Sequence, residues 1–141
     1  DLFFTANPGA AAQPVHKVAS GGERNRLMLA LKALFVQGRG LQTILLDEID
    51  TGVSGGTAAR VADVFRRMAK DVQLIAISHL PQVAGAGTHH WRVEKWVEAG
   101  QNHTGLKVLT GSEREEEVAR LLAGEEITET ARAQARSLLT T

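Results

Sequence analysis

Residues 41–50, LQTILLDEID, contain a short continuous apolar run that ends in acidic residues. Such a run is typical of a strand that is buried on both faces of a parallel sheet. The stretch VQLIAIS at 72–78 has the same character, and apolar residues recur at helical spacing from about Thr57 to Lys70. We therefore predict a βαβ unit with a right-handed crossover, in which the carboxyl ends of both strands meet at one edge of the sheet.

A helix is predicted upstream of this unit, from Ser20 to about Gln37. Its apolar residues predict a broad buried stripe, formed by Leu27, Met28, Leu31, Leu34 and Phe35. Ser20 and Glu23 have the spacing of a capping box. Gly21 and Gly22 are not explained by capping, because each costs up to about 1 kcal/mol relative to alanine in a helix. Bare amides at a helix N-terminus are suited to binding an anion, so these glycines suggest a phosphate, with an ordinary cap as the alternative.

The segments on either side are predicted to be mostly short strands. Residues 2–6 predict one strand, followed by a loop. After Pro81, residues 88–96 and 104–110 alternate in polarity and predict two antiparallel strands around a turn at about residues 98–102.

Two helices are predicted at the end of the chain. Ser112 and Glu115 have the spacing of a second capping box, which would open a helix through Leu122. Thr128 is predicted to cap a last helix, whose apolar positions are Ala131, Ala135 and Leu138. The predicted fold class is therefore α/β.

The composition is that of a soluble globular protein, with 43% hydrophobic and 23% charged residues in a chain of 141. One domain is the default at this length. Sixteen basic residues balance sixteen acidic ones, so no overall basic field indicates nucleic acid or an anionic membrane. The absence of cysteine excludes a disulfide framework and a thiolate metal site.

The start of the chain indicates a piece of a longer protein. It begins with Asp1 rather than methionine, directly in strand-like sequence and with no signal peptide. No apolar run reaches the roughly 18 to 20 residues that a membrane span needs. We therefore expect a fragment with no membrane partner.

Three polar side chains follow the two predicted parallel strands, where such sheets bind their ligands. Asp47 suits a Mg²⁺ site, since this ion prefers oxygen ligands and keeps waters and substrate phosphates. Glu48 could polarise an attacking water, and His79 could donate to a γ-phosphate oxygen. Each also has an ordinary reading, as a solvated acid at a strand end or a histidine in a turn.

In combination these motifs are much more specific. They occur in the order ASGGE (19–23), ILLDE (44–48), DTGVSGG (50–56) and ISH (77–79). This order resembles the second half of the head of ABC-type ATPases. The resemblance assigns the signature motif to Ser20, Gly21, Gly22 and Glu23, the Walker B strand to residues 45–48, the D-loop to Asp50 and the H-loop to His79.

Longer stretches narrow the resemblance. Residues 17–32, 45–56, 77–85 and 127–139 look like SMC-like ATPases of bacterial DNA double-strand-break repair, and the likeness covers nearly the whole chain. It implies that residues 1–141 are the C-terminal half of an ATPase head, a lobe of mostly parallel core strands flanked by helices with a small antiparallel hairpin.

The same resemblance implies cofactors, partners and location. ATP and Mg²⁺ are the implied ligands, with Asp47 at the metal and with Glu48 and His79 in catalysis. The implied partners are the N-terminal half of the same head, a second head in an ATP-dependent homodimer, and DNA through the full-length protein. The implied location is the bacterial cytoplasm, in association with the nucleoid.

The chain also departs from the family pattern. A P-loop needs G-x-x-x-x-G-K-[ST], yet no glycine here is followed by lysine, and the Q-loop is absent too. The N-terminal half must then supply most of the nucleotide pocket. Two alternatives stay open, a head fragment of another SMC-like or ABC ATPase and a nucleotide-dependent docking module without hydrolysis. The presence of Glu48 argues against the second.

The histidines outside the H-loop do not predict a zinc site. His89 and His90 are adjacent on a predicted strand and point to opposite faces, so they cannot both bind one ion. His16 and His103 show no ligand spacing.

Overall fold

The computed structural model describes residues 2–5, 9–36, 40–48, 50–53 and 55–140. The chain divides into two compact units, residues 1–78 and residues 79–141. The predicted α/β class is confirmed. Within the described residues, no helix has both the length and the apolar character needed to cross a membrane.

The first unit contains the predicted βαβ arrangement. Its elements are β1 (Phe3–Phe4), β2 (Gln13–Pro14), α1 (Val15–Val18), α2 (Gly21–Val36), β3 (Thr43–Asp47), α3 (Gly56–Met68) and β4 (Gln73–Ile77). Strands β3 and β4 pair in parallel, with Asp47 opposite Ile77 at their carboxyl ends. Helix α3 buries Val61, Phe65 and Met68, which belong to the apolar residues at helical spacing between Thr57 and Lys70.

The parallel strands are buried on one face only. Leu46 is fully buried, whereas its neighbour Leu45 is 55% exposed, and Ile75 and Ile77 are exposed as well. The prediction of burial on both faces is therefore wrong for this chain. The apolar side chains on the other face have no cover among the described residues.

The stripe predicted on α2 is wrong for the same reason. Leu29 and Val36 are the buried residues of this helix. Three of the predicted stripe residues are exposed instead, Met28, Leu34 and Phe35. The spacing identified the helix correctly, but the face that it buries within this chain is narrow.

The predicted strand at residues 2–6 is shorter than expected. It is the two-residue strand β1, which pairs antiparallel with β2. The stretch after it, which is predicted to be a loop, contains the two-residue strand β2. Residues 6–8 and 37–39 lie outside the described residues, so the ends of the predicted strand and of the predicted helix at Gln37 are not compared.

The second unit contains the predicted hairpin and two final helices. Its elements are α4 (Pro81–Ala86), β5 (His90–Glu98), β6 (Gln101–Leu109), α5 (Gly111–Ala123) and α6 (Glu129–Leu139). Strands β5 and β6 pair antiparallel. The turn is tighter than predicted, because only Ala99 and Gly100 join the strands. Both have positive φ, 50° and 78°, as a two-residue hairpin turn requires.

One of the two predicted helix caps in this unit is wrong. Thr110, not Ser112, is the N-cap residue of α5, and it makes no side-chain cap hydrogen bond. Glu115 instead accepts a hydrogen bond from Arg136 at 2.8 Å. The other cap is confirmed, since the Thr128 hydroxyl accepts from the backbone N–H of Ala131 at 3.2 Å.

Small residues allow the three helices of this unit to pack closely. The core consists of Val118, Ala119, Ala131 and Ala135. Gly85 of α4 lies against Leu138 of α6, and a Cβ at Gly85 would be 2.9 Å from the Leu138 Cβ. Any larger residue there would push the two helices apart.

Glu117 is a buried acid at the edge of this core. Its side chain is 4% exposed and pairs with Arg92, at 3.2 Å, and with Arg120. Burial raises the pKa of Glu117, but hydrogen bonds from Arg120 and Arg92 outweigh that effect, so its pKa lies below its usual value. The ionised carboxylate therefore stabilises the unit at neutral pH.

Glu117→Ala should lower the free energy of unfolding by about 2 to 3 kcal/mol. The expected loss is below that of a fully buried pair, because Arg92 and Arg120 are partly exposed and can regain water. Urea unfolding of the chain at pH 7 measures it. The matched control is Glu116→Ala, which breaks an exposed pair with Arg132 and should cost less than about 1 kcal/mol.

The pH dependence has a definite sign. The pKa of Glu117 is lower in the folded state than in the unfolded state. Its contribution to the free energy of unfolding is therefore present at neutral pH and is lost as the pH falls below about 4. The difference in free energy of unfolding between the wild type and Glu117→Ala should become smaller over that pH range. Equal losses for the two alanine variants at pH 7 would contradict the assigned role.

Candidate functional site

The N-terminus of α2 has the predicted capping box. The backbone N–H of Ser20 donates to Glu23 Oε2 at 2.7 Å, and the backbone N–H of Glu23 donates to Ser20 Oγ at 3.3 Å. The Ser20 backbone N–H, and next the Ser20 side chain, hold the pKa of Glu23 below its usual range. The cap is therefore formed at neutral pH with Glu23 ionised.

Packing within the chain does not require the two glycines that follow Ser20. A Cβ at Gly21 would meet no atom of the described residues within 4 Å. A Cβ at Gly22 would lie 3.5 Å from the Gly52 carbonyl oxygen, an ordinary contact, and 3.3 Å from the flexible end of Arg26. Neither glycine has a positive φ. The conformation and packing of the described residues thus leave both glycines without a structural cause.

Asp47 and Glu48 lie at the carboxyl end of β3, as predicted, and both side chains are exposed. Glu48 has φ 44°, a left-handed conformation that residues other than glycine rarely adopt. Its backbone N–H donates to the Ile77 carbonyl oxygen at 3.0 Å. Its own carbonyl accepts from the Thr51 backbone N–H at 3.0 Å and from Thr51 Oγ1 at 2.8 Å. Hydrogen bonds on both sides therefore fix the backbone of Glu48 in this turn.

Asp50 differs from the other predicted site residues because it is buried. It is 1% exposed, and its Oδ2 accepts a hydrogen bond from the Ser78 hydroxyl. Its Oδ1 is buried without a hydrogen-bond partner among the described residues. Asp50 therefore contacts its own chain rather than solvent.

Two contacts bring the α2 N-terminus and the turn after β3 together. Asn25 Nδ2 donates to the Thr51 carbonyl oxygen at 3.3 Å. The Cα of Gly22 lies 3.7 Å from the Cβ that a larger residue would place at position 52. The predicted signature residues and the turn that carries the two acids are thus neighbours within the first unit.

The last predicted residue, His79, comes two positions after β4 and is the first residue of the second unit. Its side chain is exposed.

The acids at this site fit a magnesium ion that also binds phosphate. In the described part of the chain, no three His, Asp or Glu side chains form a group that could hold a metal by themselves. Mg²⁺ is usually held by only one or two carboxylates together with waters and substrate phosphates. The exposed Asp47 carboxylate suits such a site.

Three residues of this region were not predicted as site residues. They are Asn25, Thr51 and Ser78. No sequence pattern distinguishes them, because each acts by hydrogen bonding to a segment distant in the chain or to the backbone.

The fold of the chain is similar to that of a solved structure. That structure is described as "Structural biochemistry of ATP-driven dimerization and DNA stimulated activation of SMC ATPases". The match covers 84% of this chain and 70% of the chain in that structure, with a TM-score of 0.61 and 18% sequence identity. This likeness shows that the chain has the fold of that structure over most of its length.

The sequence of this chain is similar to that of DNA repair protein RecN, and the similarity extends over the whole of this chain. The RecN of Streptomyces coelicolor is 43% identical over 141 residues, that of Halalkalibacterium halodurans 41% over 139 and that of Deinococcus radiodurans 43% over 138. These alignments cover 98 to 100% of this chain. No protein-family model matches the chain.

In sequence, the chain therefore resembles RecN over nearly all of its residues, which confirms the predicted resemblance. It spans only about a quarter of the length of these relatives.

Proposed function

We propose that this chain is the C-terminal half of the ATPase head of a RecN-like protein of DNA double-strand-break repair. The observation that carries the proposal is the contact between the glycine-rich N-terminus of α2 and the turn that bears Asp47 and Glu48. The half contributes to Mg²⁺-dependent ATP hydrolysis and to ATP-driven dimerisation of heads. The names of the relatives and of the structural neighbour support this function.

The signature residues act on the ATP of a second head. Exposed backbone N–H groups at a helix N-terminus favour phosphate, and Gly21 and Gly22 leave them uncovered. Since the chain's own packing does not require these glycines, a ligand from outside the chain accounts for them. The γ-phosphate held by the partner head is that ligand, and any side chain at these positions would obstruct it.

The acids and the histidine act within their own head. Asp47 helps to hold Mg²⁺, which neutralises charge on the transferred phosphoryl group when it is bound. Glu48 accepts a proton from the attacking water. His79 donates to an oxygen of the γ-phosphate and so stabilises the charge that develops there.

The other half of the head covers the exposed apolar surface of the first unit. A parallel pair of strands is normally covered on both faces, yet Leu45, Ile75 and Ile77 are exposed. Leu34 and Phe35 of α2 are exposed as well. Because the sequence lacks a P-loop, the N-terminal half supplies both the missing cover and the cradle for the phosphates.

The full-length protein is the form that acts on DNA. The balanced charge of this chain offers no basic field for DNA, so the surfaces that bind it lie in large part elsewhere in the protein. The bacterial relatives support a role in the bacterial cytoplasm, at the nucleoid.

The purified chain alone should neither bind Mg-ATP with micromolar affinity nor hydrolyse it, because the P-loop lysine and its cradle are absent. Calorimetric titration and phosphate release measure the two properties. Addition of the N-terminal half should restore both. Micromolar binding or turnover by the chain alone would contradict the split head, and a complete head without turnover would contradict the ATPase function.

A further inference from the structure

Asp50 is buried beside the turn that carries Glu48. In the described residues it is one of two buried charged side chains, and the other, Glu117, belongs to the second unit. A buried carboxylate is costly unless hydrogen bonds hold it in place. The Ser78 hydroxyl supplies such a bond to Asp50 Oδ2.

This bond closes a turn that is attached at two points to the end of β4. Glu48 is attached to Ile77 through its backbone N–H, at 3.0 Å. Asp50, two residues later, is attached through its side chain to Ser78, the residue after Ile77. Glu48 and Asp50 are thus anchored to two consecutive residues at the end of the neighbouring strand.

Glu48 depends on this anchoring because its backbone conformation is unfavourable. A left-handed φ of 44° persists in a residue other than glycine only when the surroundings enforce it. The Ile77 contact and the two Thr51 bonds hold the backbone of Glu48 directly. The backbone N–H of Val53 also donates to the Asp50 carbonyl oxygen at 3.0 Å, so Asp50 fixes the far side of the same turn.

We propose that Asp50 is a positioning residue, which acts through its hydrogen bond with Ser78 to hold Glu48 where it can accept a proton from the attacking water. The inference rests on the proposed ATPase function. It gives Asp50 a role inside its own head rather than one in contact with the partner head, and it gives Ser78 a role in hydrolysis.

The test uses the complete protein and measures kcat, KM for ATP, ATP-dependent dimerisation and the thermal midpoint. Asp50→Ala and Ser78→Ala should each lower kcat by about 10 to 100-fold, as expected for a misplaced reacting group. KM should stay within about twofold and dimerisation should persist, because nucleotide binding does not need Glu48. The double variant should be no slower than the slower single variant, because both remove one bond.

Conservative variants separate positioning from a general loss of stability. Asp50→Asn keeps an acceptor oxygen and Ser78→Thr keeps the hydroxyl, so both should recover kcat to within about threefold of the wild type. They also serve if an alanine variant fails to fold. The matched control is Asp63→Ala, which breaks an exposed pair with Arg66 on α3 and should leave kcat unchanged.

Three results would overturn the inference. Loss of dimerisation in Asp50→Ala alone, with Ser78→Ala normal, would place Asp50 against the partner head. If kcat fell only as far as the thermal midpoint did, and the conservative variants did not recover it, Asp50 would have only a structural role. Absence of hydrolysis by the wild type would overturn the proposed function itself, and this inference with it.

Discussion

In the complete protein, Glu48→Gln should bind ATP as the wild type does and hydrolyse it at least about 10²-fold more slowly, which is the cost of losing a general base. Glutamine has nearly the shape of glutamate, so the turn at the end of β3 and the nucleotide pocket persist. Its amide cannot accept a proton from water, so the chemical step stops. Heads that have bound ATP should then stay engaged. Phosphate release, ATP titration and a dimerisation assay measure the three effects.

Asp47→Asn is the matched control for that variant, since it makes the same change of acid to amide at the neighbouring residue. It should weaken the Mg²⁺ site and with it productive nucleotide binding, rather than trap engaged heads. If Glu48→Gln kept near-normal turnover, Glu48 would not be the base.

Gly22→Asp should abolish ATP-dependent dimerisation while the head stays folded and its own nucleotide pocket stays intact. The new carboxylate would lie where a phosphate of the partner's ATP has to approach, and it would clash with and repel that phosphate. Sedimentation with and without ATP measures the loss. If residues 20–23 only cap a helix, dimerisation and hydrolysis should instead follow the stability of the variant.

Two controls isolate the cause of that loss. Gly22→Ala tests the lost glycine without the charge, and it should leave stability unchanged or raise it, because the position has no positive φ and the closest atom to the added Cβ is the flexible end of Arg26, at 3.3 Å. Ser112→Asp places a new carboxylate at the second residue of α5, the position that Gly22 has in α2, and should leave dimerisation unchanged.

A mixture of variants tests whether the glycines act across the interface. Gly22→Asp heads mixed with heads that lack only the P-loop lysine can form one composite site, which joins an intact P-loop to an intact signature. If one composite site is enough for hydrolysis, single-turnover hydrolysis should recover in part in the mixture. That recovery would show that Gly22 contacts the phosphate of the partner head. If Gly22→Asp heads were fully active by themselves, residues 20–23 would serve only as a helix cap.

Local patterns were sufficient to predict the elements that carry the site. The apolar runs before Asp47 and Ser78 identified β3 and β4, and the parallel pairing follows from the helix between them. The spacing of Ser20 and Glu23 identified the helix start. These features are encoded within a few residues of each other, so the sequence alone shows them.

Burial and long-range hydrogen bonds could not be predicted in the same way. Leu45 was expected to be buried and is exposed, because its cover is not within the described residues. Ser112 has the spacing of a cap, yet α5 starts after Thr110. Asp50 was assigned to the D-loop by resemblance alone, and the sequence does not show that it is buried or that it accepts a hydrogen bond from Ser78, 28 residues away.

The uneven cover of the two units affects the order in which the protein folds. The second unit buries its core between α5 and α6, which are close in sequence, so its stabilising contacts need little loop closure. The exposed faces of β3 and α2 have no cover among the described residues, and in the proposed function the other half of the head supplies that cover. If that half comes from the opposite end of the polypeptide, the contacts that complete the first unit have a very large sequence separation and form late. Because synthesis starts at the N-terminus, the matching apolar faces at that end would then be exposed longest, until these residues are made, and chaperones would meet them first.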